Sequence, residues 1–208
     1  MKRIFIDRID DEQKEIVAYA ASSAEERIVG LLYLQSHWIK NDNSFMNLSD
    51  DFYLRFVALL NKHKVQYLLI GGFAVNFHGY PRTSHDMDIW ANPDSKNSEK
   101  LLDAINEFGY DTSILEGVYL RGNDVVKLQD EDFSLRKIEI LADVSGLYDF
   151  DDAYTRKETL ETQGVTFYFL SYEDLLKTKA SSMRVKDMED IKYLERIRLE
   201  RQARKGKK

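Results

Sequence analysis

The 208-residue chain has no cysteine and only 2 prolines. Without thiols there is no disulfide scaffold, no thiolate zinc site and no cysteine nucleophile. No apolar run approaches the roughly 18–20 residues that a membrane helix needs. The N-terminal Met1-Lys2-Arg3-Ile4-Phe5-Ile6-Asp7 meets an acid before any signal-like stretch forms. The expectation is a soluble cytoplasmic protein with no membrane partner. Hydrophobic residues make up 43% and charged residues 32%, which is enough for a core and too apolar for a disordered chain. The length suits one domain, or one domain with an appendage.

Cations are also short: 30 Lys+Arg face 36 Asp+Glu, a net charge of −6. Residues 196–208 hold seven Lys/Arg and one Glu, so residues 1–195 carry −12. Such a body repels a phosphate backbone and argues against a broad duplex-binding face. The acidity has two readings, a solvated surface or a few carboxylates converging on divalent cations. The basic segment 201–208 is expected to fray and to solubilise the end of the chain, with RNA contact as the alternative.

The first forty-odd residues read as helical. Ser23-Ala24-Glu25-Glu26 has capping-box spacing, and Ile28, Leu31, Leu32, Trp38 and Ile39 recur at helical intervals. The polar break Asn41-Asp42-Asn43-Ser44 marks the boundary, giving a helical N-terminal appendage over 1–44 and a main domain over 45–208. A helix is expected over about 50–62. Val65-Gln66-Tyr67-Leu68-Leu69-Ile70 then reads as a buried strand ending at Gly71-Gly72. A short helix over 73–77, stopped by Gly79, precedes the alternating strand Asp86-Met87-Asp88-Ile89-Trp90. A helix over 96–108 follows, then strands near 118–120, 125–128, 135–141 and 165–170. A helix capped by Ser171 and one over about 186–198 complete the chain. This order is α/β or α+β, a mixed sheet flanked by helices.

Three features carry chemistry. Gly71-Gly72 lies where a buried strand turns into a helix. Glycines let a backbone approach a ligand closely and a helix start offers free N–H groups to phosphate, although a Gly-Gly pair alone is also an ordinary tight turn. Asp86 and Asp88 are two apart on a strand and so share one face. Like charges this close repel unless neutralised, and Mg²⁺ is the obvious neutraliser; an exposed edge strand is the alternative. Glu139 is a lone acid between Ile138 and Ile140, on a half-buried strand.

Taken together, Gly-Gly, thirteen intervening residues, Asp-x-Asp with apolar neighbours and a later acid between apolar residues resemble the DNA polymerase β-like nucleotidyltransferase superfamily. The run from Gly71 to Ile89, with Glu173-Asp174-Leu175-Leu176-Lys177-Thr178-Lys179 and the segment after Arg184, resembles its small bacterial branch of aminoglycoside nucleotidyltransferases and toxin nucleotidyltransferases of abortive-infection systems. The resemblance covers roughly residues 65–194. It implies transfer of NMP from an NTP to a hydroxyl with release of pyrophosphate. It implies that Gly71 and Gly72 hold the triphosphate, that Asp86 and Asp88 ligate two Mg²⁺ ions, and that Glu139 completes the metal site and helps activate the incoming hydroxyl. The third acid is often Asp in relatives and is Glu here; Asp143 is the fallback.

Arg82, Thr83 and Ser84 could contact phosphates or sugar, or serve only the loop. Basic residues such as Lys179 and Arg184 lie near the nucleotide in relatives; the alternative is pairing with Asp187 or Asp190. His78 and His85 have no ligand partner at a suitable spacing and read as structural or solvent-facing. Three functions compete: an active transferase, a toxin–antitoxin-type interaction module that keeps the fold and docks a protein partner, and a nucleotide sensor. The acceptor, a small molecule, an RNA or a protein hydroxyl, is not legible, though an acidic body favours a cationic one.

Overall fold

The computed structural model describes residues 3–8, 51–80, 82, 84, 86–115, 122, 124–129 and 137–205. These residues form seven strands and six helices: β1 (Arg3–Arg8), α1 (Asp51–Lys62), β2 (Tyr67–Leu69), α2 (Gly71–Phe77), β3 (Asp86–Ala91), α3 (Ser95–Phe108), β4 (Asp124–Gln129), β5 (Lys137–Leu141), α4 (Phe150–Thr155), β6 (Glu158–Thr162), β7 (Val165–Phe169), α5 (Tyr172–Ser182) and α6 (Val185–Lys205). The strands make one mixed sheet in the order β1-β4-β5-β3-β2-β7-β6. Pairing is parallel between β3 and β5 and between β2 and β7, and antiparallel elsewhere. The α/β expectation holds.

The centre of the sheet follows from composition. Tyr67, Leu68 and Leu69 are all fully buried, as expected of a short apolar strand flanked on both sides. On one face of β3, β4 and β5, Met87 and Ile89 lie against Ile138 and Ile140, which lie against Leu128 and Val126. The opposite face of the same strands takes every second residue: Asp86 and Asp88, Lys137 and Glu139, Lys127 and Gln129. The period of two therefore separates core from chemistry.

Helices cover the apolar side through amphipathic stripes. α1 buries Tyr53, Phe56, Val57 and Leu60, and Phe56 meets Phe108 of α3 at 4.9 Å between ring centroids. Arg55 Nη2 donates to the Phe108 carbonyl at 2.7 Å, satisfying an otherwise orphaned helix-end acceptor. α3 begins where Asp94 accepts from the Lys96 and Asn97 amides and ends at Gly109, whose φ of 105° suits glycine.

The structure departs from expectation at several places. Arg3–Arg8 is a strand paired antiparallel with β4, not part of a helix; the rest of the expected appendage, with its boundary at 41–44, lies outside the described residues, as does the strand expected at 118–120. Ile4, Phe5 and Ile6 are β-formers, and their pairing gives β4 its second neighbour. α6 continues to Lys205, into the segment expected to fray. The sequence reading also missed α4 and β6. β6 is mostly exposed and polar, Glu158-Thr159-Leu160-Glu161-Thr162, so it shows no alternation. It forms because Gln163 and Gly164, both at positive φ, close a two-residue hairpin onto β7.

Ile89 is fully buried on the core face of β3. Ile89→Ala should lower unfolding stability by about 2–5 kcal/mol in urea titration, whereas Asp94→Ala at the α3 cap should cost only about 1 kcal/mol.

Candidate active site

Two strands and one turn bring the polar face together. β3 contributes Asp86 and Asp88, and parallel β5 places Lys137 opposite Asp86 and Glu139 opposite Asp88. The Ile70 amide donates to the Asp88 carbonyl at 3.0 Å, which draws the end of β2 and its glycines alongside Asp88. Gly71 has a φ of 59°, and a Cβ built there would stand 1.9 Å from Asp88 Oδ2. A Cβ on Gly72 would stand 2.2 Å from Ser84 Oγ and 3.1 Å from Arg82 Nη2. The two glycines are therefore required by close approach of side chains, beyond any need of the turn.

Crowded carboxylates dominate the electrostatics. Burial, then the charge of Glu139 and that of Asp86, push the Asp88 carboxyl up to about 7, against the opposing pull of Lys179 and Arg82. The residue keeps some exposure, but its carboxyl is pressed against the Gly71 backbone. Lys137 stands among these acids, its Nζ 2.7 Å from Glu139 Oε1 and 3.7 Å from Asp86 Oδ2. Burial pulls the Lys137 ammonium down, but the Glu139 hydrogen bond and the charges of Glu139, Asp86 and Asp88 outweigh it and hold it above the usual lysine range.

Beyond Asp88 lies a second cluster on the α5–α6 hairpin. Lys179 is buried, with Nζ 2.5 Å from Asp187 Oδ1 and 2.9 Å from Asp190 Oδ2. Arg82 Nε lies 3.0 Å from Asp190 Oδ1, so α6 holds the Arg82 side chain. Arg184 pairs with Asp187 at 2.7 Å, one of the two partners expected for it, although the Asp187 carboxylate is buried. Burial raises Asp187, but hydrogen bonds from Lys179 and Ser182 outweigh it and hold its carboxyl low. Lys186 is exposed as a residue, yet burial of its ammonium, then the charges of Arg82 and Lys179, push it down against the pull of Asp190. Asp88 thus feels the acids Glu139 and Asp86 and, against them, the bases Lys179 and Arg82, the latter two themselves paired with Asp187 and Asp190.

Asp86, Asp88, Glu139, Gly71, Gly72, Arg82, Ser84 and Lys179 converge on this region; Thr83 and His85 lie outside the described residues. His78 is buried with Nε2 2.8 Å from the Leu170 carbonyl, a structural role. Asp143 accepts from the Val144 amide at the end of β5. The sequence reading missed Lys137, although its spacing of two from Glu139 on a strand is a same-face signal. Among the described residues no group of three or more His, Asp or Glu is gathered closely enough to hold a metal unaided. Mg²⁺ asks for less, since one or two carboxylates and substrate phosphates suffice. The paired acids with a strongly raised Asp88 are a donor set that fits it.

Gly71→Ala should force Asp88 out of place, since the new methyl would overlap its carboxylate and adopt a disfavoured φ; a melting temperature lower by several degrees checks it. The raised Asp88 pKa means the fold holds that proton more tightly than the unfolded chain does. The stabilisation is present below the ordinary aspartate value of about 4 and is lost as pH rises to about 7. In chelator, Asp88→Asn should gain stability relative to wild type across this window and stay level above it, as read by melts at successive pH.

The family described as nucleotidyltransferase of unknown function (DUF6036) matches residues 56–198, well over half of the chain. No curated protein matches the chain. Among solved structures, a candidate nucleotidyltransferase from Thermotoga maritima is similar at 18% identity and a TM-score of 0.49, covering 76% of this chain and 96% of its own. The lincosamide antibiotic adenylyltransferase LnuA, in a lincomycin-bound structure, is similar at 16% identity and a TM-score of 0.47, covering 70% and 95%. The antibiotic-resistance factor ANT(2'')-Ia is similar at 12% identity and a TM-score of 0.43, covering 78% and 94%. Among the described residues no helix is long and apolar enough to cross a membrane.

Proposed function

The chain belongs to a nucleotidyltransferase family of unknown function, and from that premise we propose that it moves NMP from an NTP to a hydroxyl acceptor in a Mg²⁺-dependent reaction. The observation that carries the reading is the register of β3 on β5, which sets Glu139 opposite Asp88 and leaves Asp86 and Asp88 on one face. Carboxylates crowded until one is strongly raised are suited to a divalent cation; adjacent bases are suited to a polyphosphate.

Asp86 and Asp88 would hold Mg²⁺, two ions by the superfamily resemblance, with Glu139 completing the set. When bound, the metal supplies charge neutralisation at the attacking and leaving oxygens of an in-line displacement. Gly71, Gly72, Arg82, Thr83 and Ser84 would receive the phosphates, with Lys179, whose charge reaches Asp88, supporting them. The acceptor oxygen forms its bond to the α-phosphorus while the bond from that phosphorus to the bridging oxygen breaks. Pyrophosphate leaves with the electron pair, and the Glu139 carboxylate takes the hydroxyl proton. Positioning and charge do most of this work. The −12 carried by residues 1–195 favours a cationic acceptor, such as an aminoglycoside or a basic peptide surface.

When the four α-³²P-labelled NTPs are offered in turn with Mg²⁺ and cationic hydroxyl acceptors, at least one should yield transfer. Asp86→Asn/Asp88→Asn should reduce it by roughly two orders of magnitude or more and abolish Mg²⁺-dependent thermal stabilisation by the nucleotide. Equal binding of Mg-NTP by the variant and the wild type would refute the site. Co-purification of a protein partner by a chain without turnover would instead favour the toxin–antitoxin-type module.

A further inference from the structure

Lys137 is a fourth charged side chain at the acid cluster, and the resemblance assigns it no role. Backbone register holds it there: it lies opposite Asp86 and precedes Glu139 by two on β5, so it must share their face. Its Nζ spans the two strands, 2.7 Å from Glu139 Oε1 and 3.7 Å from Asp86 Oδ2. With its side chain only 26% exposed, it has limited room to swing into water. Lys127 stands opposite Glu139 on the other side, and Arg82 and Lys179 pull on Asp88 from beyond.

We propose that Lys137 makes cation binding depend on the nucleotide: its ammonium, seated between Asp86 and Glu139, opposes a bare divalent cation and admits one that arrives with a polyphosphate. The proposal deepens the metal reading given under Proposed function and rests on it. With all three ionised, as when they hold a cation, the carboxylates carry −3, and Lys137 reduces this to −2. A bare Mg²⁺ is repelled by an ammonium that already contacts two of its three candidate ligands. A Mg²⁺–triphosphate complex carries net negative charge, attracts Lys137 towards its phosphate oxygens and frees Glu139 and Asp86. Lys137 is a positioning residue in this scheme, acting through the carboxylates.

The test measures Mn²⁺ binding to the full-length protein by electron paramagnetic resonance, without nucleotide. Lys137→Met should bind Mn²⁺ about tenfold more tightly than wild type, the effect of deleting one like charge at a few ångströms in a partly screened site. Lys137→Arg, which keeps the charge, should resemble wild type. No tightening in Lys137→Met, or equal tightening in Lys137→Arg, overturns the proposal. Circular dichroism confirms folding, and Lys137→Gln is read in place of Lys137→Met where that variant is unfolded. A wild-type arm needs no substitution: inorganic tripolyphosphate should increase protein-bound Mn²⁺, and a decrease or no change overturns the proposal. The two readings fail differently. Tightening that survives an added Asp88→Asn places the cation elsewhere and overturns both; absence of tightening with Mn²⁺ binding still lost in Asp88→Asn overturns the role of Lys137 alone.

Discussion

The parallel pairing of β3 with β5 is the constraint on which the polar face depends. It sets Asp88 beside Glu139 and Asp86 beside Lys137, while Met87 and Ile89 lock the same strands into the core against Ile138 and Ile140. A slip of one residue would exchange the two faces, burying carboxylates and exposing aliphatics. The hydrophobic half of the strands thus enforces the geometry of the charged half, and the repulsion among the acids is borne by the packing beneath them.

The glycine turn and the helical hairpin complete that geometry from either side. Gly71 allows the Asp88 carboxylate to press on the backbone, which is part of why it is held near neutrality at about 7. The hairpin supplies a buried set of opposite charges in which Asp187 and Asp190 hold Lys179 and Arg82. A buried pair of this kind is weak evidence for net stability; its consequence here is that Asp190 holds Arg82, whose charge acts on Asp88. Asp88 therefore stands between the carboxylates of β3 and β5 and the charges of Lys179 and Arg82.

Much of the arrangement was legible along the chain. Alternation in Asp86-Met87-Asp88-Ile89 placed both acids on one face, and the apolar run before Gly71 placed the turn at the end of a buried strand. Lys137 was equally within reach of the same rule, but a lysine two residues from an acid reads as ordinary solvated charge until a second strand brings Asp86 opposite it. β6 and α4 were hidden for different reasons: β6 is mostly polar and exposed and forms only as the return arm of a hairpin, whereas α4 has six residues, too few to show a helical period. Arg3–Arg8 shows the reverse, a β-forming segment whose neighbours in sequence suggested helix and whose pairing with β4 is long-range.

The order of residues by itself determined the class of fold, the turn, and which acids lie on which face, because period and glycine content act over a few residues. Only the tertiary structure decided that Glu139 stands opposite Asp88, that Lys137 stands between Asp86 and Glu139, and that Lys179 is held by two acids of the next helix. Those are contacts between segments distant in the chain, set by strand order and helix packing, and no local pattern encodes them.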